Sequence, residues 1–184
     1  MRGVKIAVTT ELALVVLAAT AGLCGPVKGK VELPAAVAEA VRKNFPDAEI
    51  EKVETAKEEG FLSYDIEFAR NRGEIEVLED GTVLDVVVVV SMKDLPTAAA
   101  SAIQKWAGSA KIERLEKSEI RAEIQKHDAT AKIVKLERPK FVYEAELSRG
   151  GDTGEIEVAA DGSIVEALKW DKKTEGRTEQ KERE

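Results

Sequence analysis

The sequence predicts an α+β protein of two tandem units, each a short N-terminal helix packed on one face of an antiparallel β-sheet. Three observations carry this. The run from Tyr64 to Val90 returns in altered form from Tyr143 onward. Each copy holds Glu-Ile-Glu-Val, then two residues, then Asp-Gly. Each copy follows a Leu-Pro that opens a short apolar stripe of helical spacing. The helix openings, Leu33 and Leu95, lie 62 residues apart, whereas the Asp-Gly pairs at Asp80 and Asp161 lie 81 apart. The second copy therefore carries an insertion between helix and sheet.

Residues 1–21 read as a secretory signal peptide. Arg2 and Lys5 form a positive start, Leu12 to Ala19 is an unbroken apolar run, and Ala19-Thr20-Ala21 offers the small residues that signal peptidase accepts. Cleavage is expected after Ala21, giving a secreted or periplasmic protein with no stable membrane insertion. The apolar run falls short of the ~20 residues of a spanning helix, and Glu11 at its edge opposes insertion. Retention as an anchor and lipid attachment at Cys24 are the alternatives, although Ala21 stands where a lipidation signal wants a Leu-like residue. Cys24 is the single cysteine, so no intrachain disulfide framework exists and stability must come from packing.

After a linker over 22–32, the first unit spans 33–91. Pro34 suits a helix start, Val37, Ala40, Val41 and Phe45 recur at helical spacing, and Phe45-Pro46 ends the stripe. Leu62, Tyr64, Ile66 and Phe68 then alternate with polar neighbours, as one side of a half-buried strand requires. Asp80-Gly81 between alternating runs is a hairpin signal, because glycine enters positive φ without penalty and aspartate tolerates it. Val86 to Val90 is an unbroken valine run, read as a strand covered on both faces or joining the units.

The second unit spans 92–170. Leu95-Pro96 opens its helix after Asp94, the stripe is Ala99, Ala102, Ile103 and Trp106, and Gly108 stops it. The insertion, at about 116–140, reads as a hairpin turning at His127-Asp128-Ala129, although Ile112, Leu115, Ile120 and Ile124 also fit a helix loosely. Phe141, Tyr143, Ala145 and Leu147 form the strand alternation of this copy. The almost wholly polar tail over 171–184 is expected to be disordered.

These residues carry a resemblance. Leu-Pro-x-Ala-Val-x-x-Ala-Val ending at Phe-Pro, an entry strand with Ile50 and Val53, Tyr-Asp-Ile-Glu-Phe at 64–68, Glu-Ile-Glu-Val and Asp-Gly-Thr-Val-Leu together resemble the PepSY-like family, in its beta-lactamase-inhibitor-like branch. The likeness runs over about residues 33–170, and the second copy departs from it through the insertion and a missing Phe-Pro. It implies a helix on an antiparallel sheet, repeated, and a secreted binding or inhibitory role. It implies no catalytic residues. Its motif is made of positions that set the fold, and these specify architecture far better than partner.

Composition narrows the function further. With 28 basic against 35 acidic residues, net −7, and no segregated basic face, nucleic-acid binding is disfavoured. No catalytic, cofactor or metal-ligand motif is present. His127 is the only histidine and sits in a turn without a cysteine or metal-spaced partner. Two surfaces are candidates. Asp65, Glu67, Glu74 and Glu76 share one strand face, repeated by Glu144, Glu146, Glu155 and Glu157. They suit a hard cation or a basic partner, or are simply a solvated face countered by Lys52, Arg70 and Arg72.

The other candidate follows if Tyr143 and Leu147 face the helix. Val142, Glu144, Glu146, Ile164, Glu166, Leu168 and Trp170 then point away, as a recognition patch anchored by Trp170 or as a contact between the units. The expected function is a secreted, non-enzymatic module binding a protein partner, in the manner of a hydrolase inhibitor. A calcium-type metal-binding envelope protein and a passive structural repeat are the alternatives.

Overall fold

A computed structural model describes residues 32–70, 72–127 and 130–171. The expected signal peptide, Cys24, nearly all of the linker, the turn residues Asp128 and Ala129 and all of the tail beyond Asp171 lie outside the described residues.

Across the described residues the architecture is α+β and mostly antiparallel sheet, with two α-helices. Eight strands follow one another in chain order: β1 (Ile50–Glu58), β2 (Phe61–Phe68), β3 (Gly73–Leu78), β4 (Val83–Val89), β5 (Lys111–His127), β6 (Thr130–Arg149), β7 (Asp152–Ala159) and β8 (Ile164–Asp171). They form one sheet in which every neighbour in sequence is the neighbour in space and every pair is antiparallel. Helix α1 (Ala35–Asn44) precedes β1, and α2 (Thr97–Ala107) lies between β4 and β5. Among the described residues no helix is long and apolar enough to cross a membrane.

Each helix closes over its own core. Val37, Ala40, Val41 and Phe45 of the α1 segment pack with Ile66, Phe68, Ile75, Val77 and Val86 from β2 to β4. Ala99, Ile103 and Ala107 of α2 pack with Leu115, Tyr143, Ala145, Leu147, Ile156 and Val158 from β5 to β7. Both helices cover the same sheet face, since Val88 of the first core stands opposite Lys117, two residues along β5 from Leu115 of the second. The stripe of α2 differs from the spacing read in the sequence. Residues at i, i+4 and i+8 face the sheet, so Ala107 is buried and Trp106 is 46% exposed. Alanines at two of these three positions let the helix lie close, and a bulky Trp106 is turned outward instead.

The valine run, up to Val89, forms the second half of β4, which pairs with β3 on one side and β5 on the other. Val86 and Val87, on opposite faces, are both buried. Its ladder with β5 is short, from Val87↔Ser118 to Val89↔Glu116. Beyond it β5 and β6 continue as a two-stranded arm that pairs out to His127↔Thr130. Here the looser helical spacing of Ile112, Leu115, Ile120 and Ile124 gives way to strand. The arm is anchored: Ala122, with Ile124 and Ile133, packs on Leu78, Leu84 and Phe61, Arg121 Nη1 donates to Asn44 Oδ1 at 2.7 Å, and Lys126 Nζ lies 2.7 Å from Glu59 Oε1.

The Asp-Gly turns are built alike but are not two-residue turns. Gly81 N donates to Leu78 O and Leu78 N to Thr82 O, while Gly162 N donates to Ala159 O and Ala159 N to Ser163 O. The two glycines take φ of +87° and +82°. Each aspartate accepts from the backbone two residues on, Thr82 N at 2.8 Å and Ser163 N at 2.9 Å, as a side chain mimicking a turn does. Among the described residues, two-residue turns with positive φ at both positions are formed by Glu59-Gly60 and Gly150-Gly151.

Candidate functional site

The face turned away from the helices carries the chemistry. Register lays its residues in rows across the strands. One row runs Glu54, Asp65, Glu76, Asp85 from β1 to β4. The next runs Lys52, Glu67, Glu74, Val87, Ser118, Val142, Ala159 from β1 to β7. A third runs Val89, Glu116, Glu144, Glu157, Glu166 from β4 to β8, and a fourth Arg114, Glu146, Glu155, Lys169 from β5 to β8. Two buried valines, Val87 and Val142, thus sit in a seam between acidic rows.

Directly opposed side chains of one face approach to about 5 Å between Cβ atoms, and like charges there repel. The carboxyl groups respond by holding their protons more tightly. Burial, then Asp65, Glu116, Glu67 and Asp85, pushes Glu74 up to about 7. Burial, then Glu155, Glu116, Glu157 and Glu146, pushes Glu144 up to about 8. Burial is also the first cause raising Asp65, Glu76, Asp85, Glu155 and Glu157, with Ser63 opposing it at Glu76 through a hydrogen bond.

Cations answer only part of this charge. Lys52 Nζ lies 2.8 Å from Glu67 Oε1 and 3.1 Å from Glu54 Oε1, Arg114 Nε donates to Glu116 Oε1 at 2.7 Å, and Lys169 pairs with Glu166. The other two expected counter-charges lie elsewhere: Arg70 and Arg72 line a small cleft with Asp47 and Glu49, where Arg72 Nη1 donates to the Asp47 carbonyl at 3.2 Å. Three carboxylates, Glu144, Glu146 and Glu155, place oxygens within 4.8 Å of one another.

Asp65, Glu67, Glu74 and Glu76 are therefore brought together as Asp65↔Glu76 and Glu67↔Glu74 pairs. The other group is split. Val142 is 5% exposed, at the base of the face, and Glu144, Glu146 and Glu166 stand on it. Leu168 and Trp170 do not point away: they pack on the α2 core, with Trp170 opposite Gly154 and Arg149 4.3 Å above its ring. Ile164 pairs with Val158 of that core and remains 38% exposed. The physical reason is irregular register in β8, between the Glu155↔Lys169 and Glu157↔Glu166 pairs and again before Val158↔Ile164. An extra residue on one strand flips all that follow to the other face. Arg114, Glu116 and Asp85 were missed in the sequence. Alternation of Arg114, Glu116 and Ser118 is the available signal, obscured because Ile112, Leu115, Ile120 and Ile124 also fit a helix loosely.

A family model described as "Putative beta-lactamase-inhibitor-like, PepSY-like" matches residues 27–85 and 117–165, more than half of the chain. It leaves out α2 and the first part of β5. No curated protein matches. Among solved structures, one described as of "putative periplasmic proteins" from Bacteroides eggerthii is similar at 11% identity and TM-score 0.51, over 76% of this chain and 90% of its own. A BLIP-like protein from Bacteroides fragilis aligns at 12% identity and TM-score 0.47, over 81% of this chain and 94% of its own. A DUF2874 family protein from Bacteroides ovatus aligns at 13% and 0.48, over 77% and 89%. The likeness to the Bacteroides eggerthii protein is one of fold.

Proposed function

The chain belongs to the PepSY-like family in its beta-lactamase-inhibitor-like branch, and from that premise we propose that it is a secreted, non-enzymatic module whose open sheet face binds a protein partner with a basic surface. The observation that carries this is the cross-strand stacking of carboxylates, Glu67↔Glu74, Asp65↔Glu76, Glu116↔Glu144↔Glu157 and Glu146↔Glu155. Such opposed like charges cost stability in the free protein. A partner supplying cations relieves that cost and gains affinity and association rate from complementary potential. The seam of Val87 and Val142 offers an apolar centre between the charged rows, the arrangement of a packed core with a polar rim.

We read the chain as two tandem copies of one unit. Support comes from the recurrence of one device: Gly81 turns under Ala36 of α1, and Gly162 under Ala98 of α2. The leader and the description of the Bacteroides eggerthii protein favour the periplasm or the exterior.

The test is affinity capture from envelope extract by the wild type and by the double reversal Glu144→Lys with Glu157→Lys, the fold of each checked by circular dichroism. The reading expects a captured protein that elutes with salt and is lost with the reversal. Equal capture by both overturns it. A second reading, a calcium-type cation site, is favoured by the 4.8 Å grouping of Glu144, Glu146 and Glu155, since oxygen ligands suit hard cations. Calorimetric titration with calcium decides it: no heat at millimolar metal removes it.

A further inference from the structure

Where the β4–β5 ladder ends, the sheet leaves a cavity of about 430 Å³ lined by Val89, Val90, Ile112, Leu115, Glu113, Arg114 and Glu146. Its position follows from the strands. Val90 N still donates to Leu115 O at 2.9 Å, beyond the last ladder pair Val89↔Glu116, and β5 is irregular in its pairing with β6 between Ile112 and Arg114.

The lining is of two kinds. Four aliphatic residues form the wall, and Val89 among them keeps 38% of its surface exposed. The charged residues differ in how they are engaged. Arg114 is held by Glu116, with Nε to Oε1 at 2.7 Å. Glu113 accepts from Lys111 Nζ and from Ser148 Oγ, each at 2.5 Å. Glu146 is partly buried, and among the described residues it has no hydrogen-bond or ion-pair partner, nor do Glu144 and Glu155 beside it. Arg114 stands opposite Glu146 and feels its charge but is bonded to Glu116, so the lining sets two carboxylates against one shared guanidinium beside an apolar wall.

We propose that this cavity receives the side chain of an arginine or lysine from the protein partner, its aliphatic stem against Val89, Val90 and Ile112 and its cationic head on Glu146. The inference rests on the binding reading above and says where on the acidic face the partner is anchored. A long basic side chain matches both halves of the lining, because it presents a methylene stem and a charged end. A hydrated metal ion matches only the carboxylates and leaves the valines exposed. A pocket that is closed over by such an anchor on binding is where binding energy concentrates in an interface.

The experiment uses the isotope-labelled full-length mature chain, with backbone amide spectra recorded during titration by a capped tripeptide, glycine-arginine-glycine, and by its citrulline analogue, which keeps the shape but not the charge. The arginine peptide is expected to shift the amides of Val89, Val90 and Ile112 to Leu115 in a saturable way, and the citrulline peptide to leave them in place. Glu146→Gln is expected to weaken the arginine peptide by about ten-fold, the loss of one charge-assisted hydrogen bond, while Glu39→Gln, exposed on α1 and away from the acidic face, leaves its affinity unchanged. Equal shifts with both peptides overturn the proposal, and so does calcium saturating the same amides while the arginine peptide does not. Shifts centred on the Glu67 and Glu74 rows overturn the cavity as anchor yet leave the wider reading standing. Failure of an oligolysine to bind anywhere on the face overturns both.

Discussion

Glu144 on β6 stands directly opposite Glu157 on β7, with Glu116 opposite it on the other side. Glu116, Glu144 and Glu157 are three successive carboxyl groups of a row that continues to Glu166, and burial foremost, then its acidic neighbours, pushes Glu144 up to about 8. The sign of the consequence follows from linkage. In the unfolded chain this group titrates near 4.5, so between that value and about 8 the folded state binds more protons than the unfolded one. Stability is therefore highest below the lower value, falls as pH rises through the window, and levels off above it. Glu74, pushed up to about 7, adds the same trend over a narrower window. Urea midpoints measured from about pH 4.5 to about pH 9 should decline. Glu144→Gln should flatten the curve, gaining about 2 kcal/mol at the alkaline end after allowance for solvent screening, and changing little at the acid end. A wild type most stable above pH 8 would contradict this.

The two turn glycines make a prediction of a different kind. A Cβ on Gly81 would lie 3.0 Å from the Ala36 carbonyl oxygen, and one on Gly162 would lie 2.7 Å from the Ala98 carbonyl oxygen. Each site combines the left-handed backbone with a rigid obstacle in the first turn of a helix. Gly81→Ala and Gly162→Ala should each cost about 2 to 3 kcal/mol, against about 1 kcal/mol for Gly150→Ala, where φ is also positive but nothing lies within 4 Å. Denaturant midpoints of the three variants check the order. Equal losses at all three sites would mean that the helix contact contributes nothing.

These glycines also show what was legible from residues alone. The Asp-Gly pair, the alternating Glu-Ile-Glu-Val and the Leu-Pro openings are local signals. Local signals place helices, turns and the inward face, and Val37, Ile66, Ile75 and Val158 are indeed fully buried. What hid from the sequence is register. Alternation says that residues two apart share a face, but it carries no mark of the place where one strand gains a residue. That is why alternation alone sets Leu168 and Trp170 beside Glu166, although they lie on the other side. The long β5 and β6 were obscured by their composition, since Lys111 to Lys140 has few apolar residues at either period. Part of its burial comes from a distant contact, Ala122 on Leu78 and Leu84. Joining all eight strands into one sheet needs only three residue pairs between β4 and β5, too few to leave a pattern.

That contact is open to test. Ala122 is 3% exposed and Leu78 likewise, so Ala122→Asp places an unpaired carboxylate among apolar groups, at about 2 to 4 kcal/mol. The cost should fall on the arm and not on the cores beneath the helices, which share no residue with this cluster. Hydrogen exchange should quicken at the paired amides of Ala122 to Gln125 and Lys132 to Lys135 while Ile66 and Ile156 keep their protection. Faster exchange throughout the sheet would show that the arm holds the whole structure together.

The two tryptophans separate the inward and outward faces of the second half. Trp106 is 46% exposed on α2, whereas Trp170 packs on the α2 core under Arg149. With Trp106→Phe the remaining emission comes from Trp170 and should resist acrylamide. With Trp170→Phe it comes from Trp106 and should be readily quenched. Alanine in place of Trp106 should cost under about 1 kcal/mol, as exposed substitutions do, and in place of Trp170 about 2 kcal/mol or more. Gly154→Ala connects the two measurements. Its Cβ would lie 2.8 Å from the Trp170 ring and 2.9 Å from the Lys169 carbonyl oxygen, so the ring or the β8 backbone has to give, and the side chain is the softer of the two. The Trp106→Phe protein carrying Gly154→Ala should therefore become quenchable, at a stability loss close to that of Trp170→Ala. If quenching stays low while stability falls, the ring has kept its place and the strand has yielded instead.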